Sequence, residues 1–286
     1  MKKYFWILGM LLFLSGCIFI YQTVIFNDHK LHVVICDAGQ GDAIFIRTPQ
    51  GSDVLIDGGP DSKVLSCLSS HMPFWDRTIE IMFLTHPHAD HLTGLIDVVK
   101  RYRVLSFVTE EISGTSSIYE ELMRQLEEHN VPERFLYQGD RFAFKDGVVL
   151  KTLWPTEGWV SKNSTDKASL DANSLSVIEL LTYKNFKALF TGDAQAQALE
   201  KVDLMVGEVD VLKVPHHGSK TGLNQDVLEI LKPKISAISV GAKNRYGHPD
   251  PFVLDLLNQT GTKTLRTDQV GEIEVVSDGE TWKIIN

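Results

Sequence analysis

Four side chains of metal-binding type fall within the run His86-Pro87-His88-Ala89-Asp90-His91. Imidazole and carboxylate groups in combination suit zinc, manganese or iron. His86 and His88 alternate along the chain, so both can face one cation from an extended loop. Asp90 and His91 turn into the following segment, where they can face a second cation. The run therefore predicts half of a two-metal site.

Three later segments also end in metal-binding side chains: Asp193 follows one apolar stretch, His216 and His217 follow another, and His248 follows a third. Strand ends of an α/β sheet meet at one edge, where binding sites form. The two oxygens of Asp193 can bridge two cations.

We predict one metal on His86, His88, Asp193 and either His216 or His217. The second is predicted on Asp90, His91, Asp193 and His248. Two cations at such a site stabilise the attacking and leaving oxygens of an in-line displacement. Asp90 and Asp193 are therefore the catalytic candidates.

Further polar residues near these segments are predicted to support the ligands or the substrate. Asp57 is expected to hold the ligand loop by hydrogen bonds. Several side chains are expected to line the site, namely Gln40, Asp42, Asn173 and Ser174. Three basic residues could hold a phosphate or be solvated loop charges instead, namely Lys220, Lys243 and Arg245.

The elements that position these residues alternate between strand-like and helix-like patterns from residue 31 onward. Two halves of strands with interspersed helices predict two sheets packed face to face with helices outside, a four-layer αββα sandwich. The polar stretch 158–171 is predicted to be a loop. Strands are predicted at 31–36, 43–48, 53–56, 79–85, 148–154, 174–182, 187–191, 209–214, 235–240, 262–266, 272–277 and 282–285, and helices at 92–102, 117–130, 195–206, 226–231 and 251–259.

Three motifs resemble those of the metallo-β-lactamase superfamily: Asp57-Gly58-Gly59, the stretch 85–94 and Thr191-Gly192-Asp193. More narrowly, the stretches 37–43, 173–175, 214–221 and 244–249 resemble the metallohydrolase domain of ComEC DNA-uptake proteins. The resemblance covers about residues 31–286. It implies a metallo-β-lactamase fold, two divalent ions (Zn²⁺ or Mn²⁺), and a phosphodiester or DNA substrate.

The chain departs from these families in two respects. The superfamily often supplies a third histidine before the bridging aspartate, where this chain has Asn173-Ser174. ComEC proteins carry a multi-helix membrane channel, whereas this chain has a single apolar segment. The resemblance therefore supports a competence-type hydrolase and does not extend to DNA transport.

The first 27 residues are predicted to form a membrane anchor, followed by a hydrolase domain over 28–286. Lys2 and Lys3 precede an uncharged apolar run that is long enough to cross a bilayer. The positive-inside rule places the N-terminus in the cytoplasm and the hydrolase domain outside. Two alternatives remain: a lipoprotein modified at Cys17, because Leu14-Ser15-Gly16-Cys17 resembles a lipobox, or a cleaved signal peptide.

The charge composition of the chain limits the ways in which it can bind nucleic acid. The net charge of −9 and the lack of an evident basic patch argue against binding nucleic acid by bulk positive charge. Cys36 and Cys67 are expected to be buried apolar residues rather than reactive thiols.

A phosphodiesterase or nuclease is the first hypothesis for the function. Hydrolysis of a non-nucleic envelope phosphoester or amide, and a non-catalytic binding module, are the alternatives. The oligomeric state has no signal in the sequence.

Overall fold

The computed structural model describes residues 2–111, 114–163 and 171–285. It begins with α1, which is apolar on every face. Within it, the segment Trp6–Phe26 is long and apolar enough to cross a membrane. The helices are α1 (Lys2–Phe26), α2 (Val64–His71), α3 (Ala89–Arg101), α4 (Ser117–Glu128), α5 (Glu157–Asn163), α6 (Ala196–Leu199), α7 (Asp203–Val206), α8 (Gln225–Leu231), α9 (Pro251–Gln259) and α10 (Thr267–Val270).

Two large sheets form the centre of the molecule, and a two-stranded ribbon lies beside them. The first sheet contains β1 (Leu31–Ile35), β2 (Ile44–Arg47), β3 (Asp53–Ile56), β5 (Ile81–Leu84), β7 (Phe107–Thr109), β8 (Glu133–Phe135), β16 (Ile273–Ser277) and β17 (Trp282–Ile285), and the ribbon pairs β4 (Thr78–Ile79) with β6 (Arg103–Val104). The second sheet contains β9 (Arg141–Ala143), β10 (Val149–Trp154), β11 (Ile178–Tyr183), β12 (Phe186–Phe190), β13 (Val211–Lys213), β14 (Ile235–Ile238) and β15 (Lys263–Arg266).

Strand directions bring several strand ends to one edge. In the first sheet the spatial order is β17-β16-β1-β2-β3-β5-β7-β8, with β3, β5, β7 and β8 parallel. In the second the order is β15-β14-β13-β12-β11-β10-β9, with β12 to β15 parallel. The carboxyl ends of β5, β12, β13 and β14 are the points from which the predicted metal ligands emerge.

Three apolar layers hold the sheets and helices together. A central layer lies between the sheets and includes Phe83, Phe186 and Phe190. A second packs α2, α3 and α4 on the first sheet, and a third packs helices α6 to α9 on the second sheet. The predicted four-layer αββα sandwich with an apolar N-terminal helix is therefore confirmed.

Local predictions differ from the structure in several places. The strand predicted over 174–182 begins only at Ile178, because the Asp171 side chain caps a 3-10 helix over Ala172–Leu175. The helix predicted over 195–206 is divided into α6 and α7, because the backbone at Val202 (φ −120°) leaves helical geometry where its side chain is buried. The loop predicted over 158–171 is wrong at its start, where α5 forms and buries Val160. Residues 164–170 of that prediction lie outside the described residues.

Cys36 and Cys67 form a disulfide that joins the end of β1 to α2. Both residues are buried, as expected from the sequence, but they are paired rather than free thiols. The bond closes a loop with a sequence separation of 31 residues, which contains β2, β3 and Asp57. A cross-link over such a loop stabilises a fold by about 3–4 kcal/mol, mainly by restricting the unfolded chain.

Glu179 on β11 is a fully buried carboxyl group that is hydrogen-bonded to the hydroxyl of Thr152. Burial raises the pKa of Glu179 to about 8. As pH rises above the ordinary glutamate range, the unfolded chain ionises at this residue while the folded chain stays protonated. Stability is therefore lost between roughly pH 4.5 and pH 8. We expect Glu179→Gln to lose less stability than the wild type between about pH 5 and about pH 9.

This expectation is checked by thermal unfolding of the detergent-solubilised chain at both pH values. Glu120→Gln, which changes an exposed glutamate, serves as the matched control and should follow the wild type. An equal fall in midpoint for wild type and Glu179→Gln would contradict a protonated Glu179.

Candidate metal centre

The metal-binding run begins where β5 ends and continues into α3. His86 and His91 are fully buried, and their ring centroids lie 4.2 Å apart. His88 is the N-cap of α3, and its Nδ1 lies 3.0 Å from Nε2 of His86. Burial lowers the pKa of His86 well below its ordinary value, so its ring is neutral and can bind a cation.

Asp193 lies at the centre of the site, after β12. Its Oδ1 lies 3.3 Å from Nε2 of His91 and 3.5 Å from Nε2 of His217. Its Oδ2 lies 3.7 Å from Nε2 of His216 and 3.9 Å from Nε2 of His86. Although burial raises the pKa of Asp193, His217 and His91 hold it well below its ordinary value. Each oxygen of this carboxylate thus faces a separate pair of imidazoles.

The backbone at Gly192 allows Asp193 to reach this position. Gly192 has φ +49°, and a Cβ there would lie 2.8 Å from Oγ1 of Thr85. A side chain would therefore be strained and would collide with the neighbouring strand end. The amide of Asp193 donates a hydrogen bond to Oγ of the buried Ser176, which fixes the turn.

His216 and His217 point to different sides of Asp193. Both lie in the turn Pro215–Gly218 with positive φ values of 50° and 54°, a conformation that is costly for residues other than glycine. The ring of His217 is fixed through Nδ1, which donates to the carbonyl of Ser239 at 2.9 Å. Its Nε2 then faces Asp193 and lies 3.7 Å from Oδ2 of Asp90. The geometry therefore favours His216 on the first metal and His217 on the second.

The charges around His217 and Asp90 favour a cation between them. Burial lowers the pKa of His217, but Asp193 and Asp42 raise it to about 9. Burial raises the pKa of Asp90, but His217 and His91 lower it to about 2. The carboxylates of the site thus attract positive charge strongly, and a divalent cation would compete with the proton on His217.

His248 is the one predicted ligand whose position differs from the predicted grouping. Its ring lies beside His216, with centroids 5.6 Å apart, and Tyr246 stacks against it at 6.1 Å. The sequence placed His248 with Asp90 and His91, but His217 occupies that side because Ser239 holds its ring there. His248 instead lines the mouth of the site next to His216.

Asp57 supports the ligand loop from beneath. It is buried, and its carboxylate accepts hydrogen bonds from the amide and the hydroxyl of Thr85, at 2.8 and 2.7 Å. It also lies 2.7 Å from Nδ1 of His91, which leaves Nε2 of that ring facing Asp193. Such a carboxylate–histidine contact sets the orientation of a ligand ring.

A buried ion pair between Asp42 and Lys213 lies behind the site, and the sequence reasoning missed Lys213. Lys213 is fully buried on β13, and its ammonium group contacts Asp42 and the carbonyl of Gly192, the latter at 3.3 Å. Asp42 also lies 3.4 Å from Nδ1 of His217. Lys213 could have been noticed in the sequence, because it is a lysine within a stretch that is otherwise predicted to be a buried strand.

The other predicted residues divide into cavity-lining and peripheral ones. A cavity of about 300 Å³ opens over the site and is lined by Gln40, His88, Ala89, Asp90, Asn173, Asp193, His216, His217, Tyr246 and His248. Ser174 turns its hydroxyl to the carbonyl of Asp171 and is not among the lining residues. Lys220 and Arg245 are exposed, with the Lys220 ammonium over the ring of Phe252. Lys243 lines a neighbouring cavity.

The donor atoms fit divalent cations. Within the described parts of the chain, Nε2 of His91, Oδ1 of Asp193 and Nε2 of His217 are buried without a hydrogen-bond partner. Buried polar atoms are rarely left unpaired, so three such atoms that face the same space fit a bound cation. His86, His91 and Asp193 form one potential ligand group, and Asp90, His91 and His217 form another.

Known proteins resemble this chain in sequence and in fold. A family model described as "Metallo-beta-lactamase superfamily" matches residues 36–242. ComE operon protein 3 of Bacillus subtilis (strain 168) is 29% identical over 276 residues, covering 90% of this chain and 34% of the relative. Recombination protein 2 of Haemophilus influenzae is 26% identical over 243 residues, covering 84% of this chain and 28% of the relative. The chain thus spans roughly a third of the length of these relatives.

Solved structures share the fold. The metallo-β-lactamase fold protein YhfI from Bacillus subtilis superposes with a TM-score of 0.58 over 87% of this chain and 100% of its own, at 10% identity. At that identity the likeness concerns architecture alone.

Proposed function

This chain belongs to the metallo-β-lactamase superfamily of metallohydrolases, and we propose that within it the protein is a two-metal phosphodiesterase that cleaves DNA. The observation that carries the proposal is the central position of Asp193. Its two oxygens face separate sets of ligand atoms, His216 and His86 on one side and His91 and His217 on the other. A carboxylate in that position can bridge two cations.

The proposed ligand sets follow from these distances. His86, His88 and His216 would hold one divalent ion with Asp193, and Asp90, His91 and His217 would hold the other. When bound, Zn²⁺ or Mn²⁺ would supply Lewis-acid stabilisation of the charge that develops on the phosphate oxygens.

The chain's own residues hold this arrangement before substrate arrives. Asp57 orients the His91 ring, and the Ser239 carbonyl orients the His217 ring. Gln40, Asn173 and Tyr246 line the open side of the cavity, where a substrate would lie. Oδ1 of Asn173 is buried and without a hydrogen-bond partner among the described residues, so it is available to a substrate or a ligand.

The choice of DNA rests on the curated relatives. ComE operon protein 3 is similar along 90% of this chain, and the sequence motifs resemble the hydrolase domain of DNA-uptake proteins. Competence protein ComA of Neisseria gonorrhoeae is 24% identical over 260 residues. The site itself supplies a positive centre once two cations are bound, so an acidic chain does not conflict with an anionic substrate.

We further propose that residues 1–27 anchor the protein and that residues 28–286 act outside the cytoplasmic membrane. The two lysines at the start of α1 favour a cytoplasmic N-terminus. The Cys36–Cys67 disulfide is an independent support, because disulfides persist in oxidising compartments outside the cytoplasm.

The substrate is tested with the full chain in detergent, loaded with Mn²⁺ or Zn²⁺. We expect it to turn over bis(p-nitrophenyl) phosphate and to cut single- or double-stranded DNA, because both contain a phosphodiester. The Asp193→Ala variant, in which the bridging carboxylate is missing, should do neither and reports any contaminating nuclease.

Two results would change the proposal. Turnover of the small diester with intact DNA would replace DNA by a non-nucleic phosphoester of the envelope. Failure on every diester by protein that carries its metals would contradict phosphodiester chemistry.

A further inference from the structure

Two exposed aromatic side chains lie on the short loop between α2 and β4. Phe74 is 55% exposed and Trp75 is 42% exposed, and their rings contact each other edge-on at 4.9 Å. The same loop touches the N-terminal helix. The ring of Trp75 lies 4.6 Å from that of Phe19, and the amide of Phe74 donates to Oε1 of Gln22 at 2.9 Å.

The helix that the loop touches presents apolar side chains on all sides to the surroundings. Its segment Trp6–Phe26 has none of its residues buried within the protein. Tyr4 and Trp6 lie near its start, and Tyr21 lies five residues before its end at Phe26. At 1.5 Å per residue, Tyr4 and Tyr21 are about 25 Å apart, close to the thickness of a hydrocarbon core. Trp75 lies at the level of Tyr21, because Phe19 and Gln22 flank that residue.

We propose that the loop carrying Phe74 and Trp75 inserts into the interfacial layer of the phospholipid bilayer and seats the hydrolase domain on the membrane. Tryptophan and tyrosine prefer the headgroup level, where an apolar ring and a polar N–H or O–H are both satisfied. The inference rests on the proposed anchor, and it adds a second contact with lipid that α1 alone does not provide.

The contact fixes where the metal centre stands relative to the membrane. The loop precedes β5, and the metal-binding run follows it, so the two lie at opposite ends of the same strand. β1 starts beside α1 and is aligned with β5, because it is antiparallel to β2, β2 is antiparallel to β3, and β3 is parallel to β5. Four residues of β5 separate the ends by about 13 Å.

It follows that the site lies on the edge of the first sheet remote from the bilayer. A substrate then arrives from the aqueous phase rather than from the lipid surface. That position fits a soluble polymer such as DNA better than a lipid-linked envelope component.

The test is quenching of tryptophan fluorescence in phosphatidylcholine vesicles that contain the full chain, with acyl chains either plain or brominated. Subtracting the emission of Trp75→Phe from that of the wild type gives the contribution of Trp75. We expect that contribution to lose most of its intensity in brominated vesicles. Trp154→Phe is the matched control, since Trp154 is buried in the hydrolase domain and its contribution should be unchanged.

Trp6→Phe separates the loop from the anchor. Quenching of the Trp6 contribution shows that α1 is in the bilayer. Quenching of Trp6 with an unaffected Trp75 contradicts insertion of the loop that carries Phe74 and Trp75, and leaves the anchor in place. An unaffected Trp6 contribution overturns the anchor, and with it this inference, while the metal and substrate assays still stand.

Discussion

The Asp193→Ala variant is expected to lose most of its bound divalent metal and at least about 10³-fold in hydrolytic activity, because several kcal/mol of metal-derived stabilisation disappear. Among the described residues, Asp193 is the side chain whose two oxygens face both halves of the site, at 3.3 to 3.9 Å from four imidazole nitrogens. Removing it would take one ligand from each of the two proposed cations, together with the negative charge that offsets them.

Metal content is measured by elemental analysis of the purified full chain, with about two divalent ions per chain expected in the wild type. Asp226→Ala is the matched control, since it removes an exposed aspartate from the first turn of α8. It should keep the wild-type metal content and activity. Full metal content in Asp193→Ala would overturn the assignment of the site.

Two further variants distinguish the ligand sets. His217→Ala should lose about one ion per chain, because His217 faces Asp90 and Asp193 together. His248→Ala should retain both ions, because its ring lies beside His216 at the mouth of the cavity. The opposite result would restore the grouping of His248 with Asp90 and His91 that the sequence suggested.

Strand ends were the part of the site that the sequence could predict. Apolar stretches before His86, Asp193, His216 and His248 are long enough to recognise, and parallel strands bring their carboxyl ends to one edge. The layered architecture followed from the same pattern. What the pattern cannot supply is the direction of each side chain at that edge.

The different directions of the His216 and His217 side chains illustrate this limit. Adjacent residues in ordinary extended backbone point to opposite faces, but both of these have positive φ, and their directions depend on the turn Pro215–Gly218. The carbonyl of Ser239, which directly follows β14, then decides which way the His217 ring turns. Neither the turn conformation nor the Ser239 contact can be predicted from the spacing of the histidines.

Pairings between residues that are distant in the chain could not be predicted from the sequence either. Cys36 and Cys67 carry no motif, and only the packing of α2 on the first sheet brings them together. The pairing of Lys213 with Asp42 depends on contact between the second sheet and a loop of the first. A lysine within an apolar strand is a recognisable anomaly, but its partner emerges only from the fold.

The ion pair between Lys213 and Asp42 has the largest expected effect on stability. Both side chains are buried, and although burial raises the pKa of Asp42, Lys213 and His217 hold it below its ordinary value. Removing the lysine leaves a buried carboxylate without its main counter-charge. We expect Lys213→Met to lower the free energy of unfolding by about 3–5 kcal/mol.

Thermal unfolding of the detergent-solubilised, metal-loaded chain measures this loss. Lys187→Met is the matched control on the neighbouring strand, because the Lys187 ammonium donates to the carbonyl of Val206. Its loss should be about 1 kcal/mol, the net value of one hydrogen bond. Equal losses for the two variants would show that Asp42 does not need the charge of Lys213.

A double variant identifies the origin of the effect. Adding Asp42→Asn to Lys213→Met removes the uncompensated charge while keeping the size of the side chain, so part of the stability should return. The carbonyl of Gly192 also contacts the lysine, and Asp193 follows directly in the chain. Asp42 also lies 3.4 Å from Nδ1 of His217, so the single Asp42→Asn variant is the control for metal content. Recovery of stability without recovery of metal content in the double variant, with full metal content in Asp42→Asn, would show that Lys213 also positions Asp193 through the backbone of Gly192.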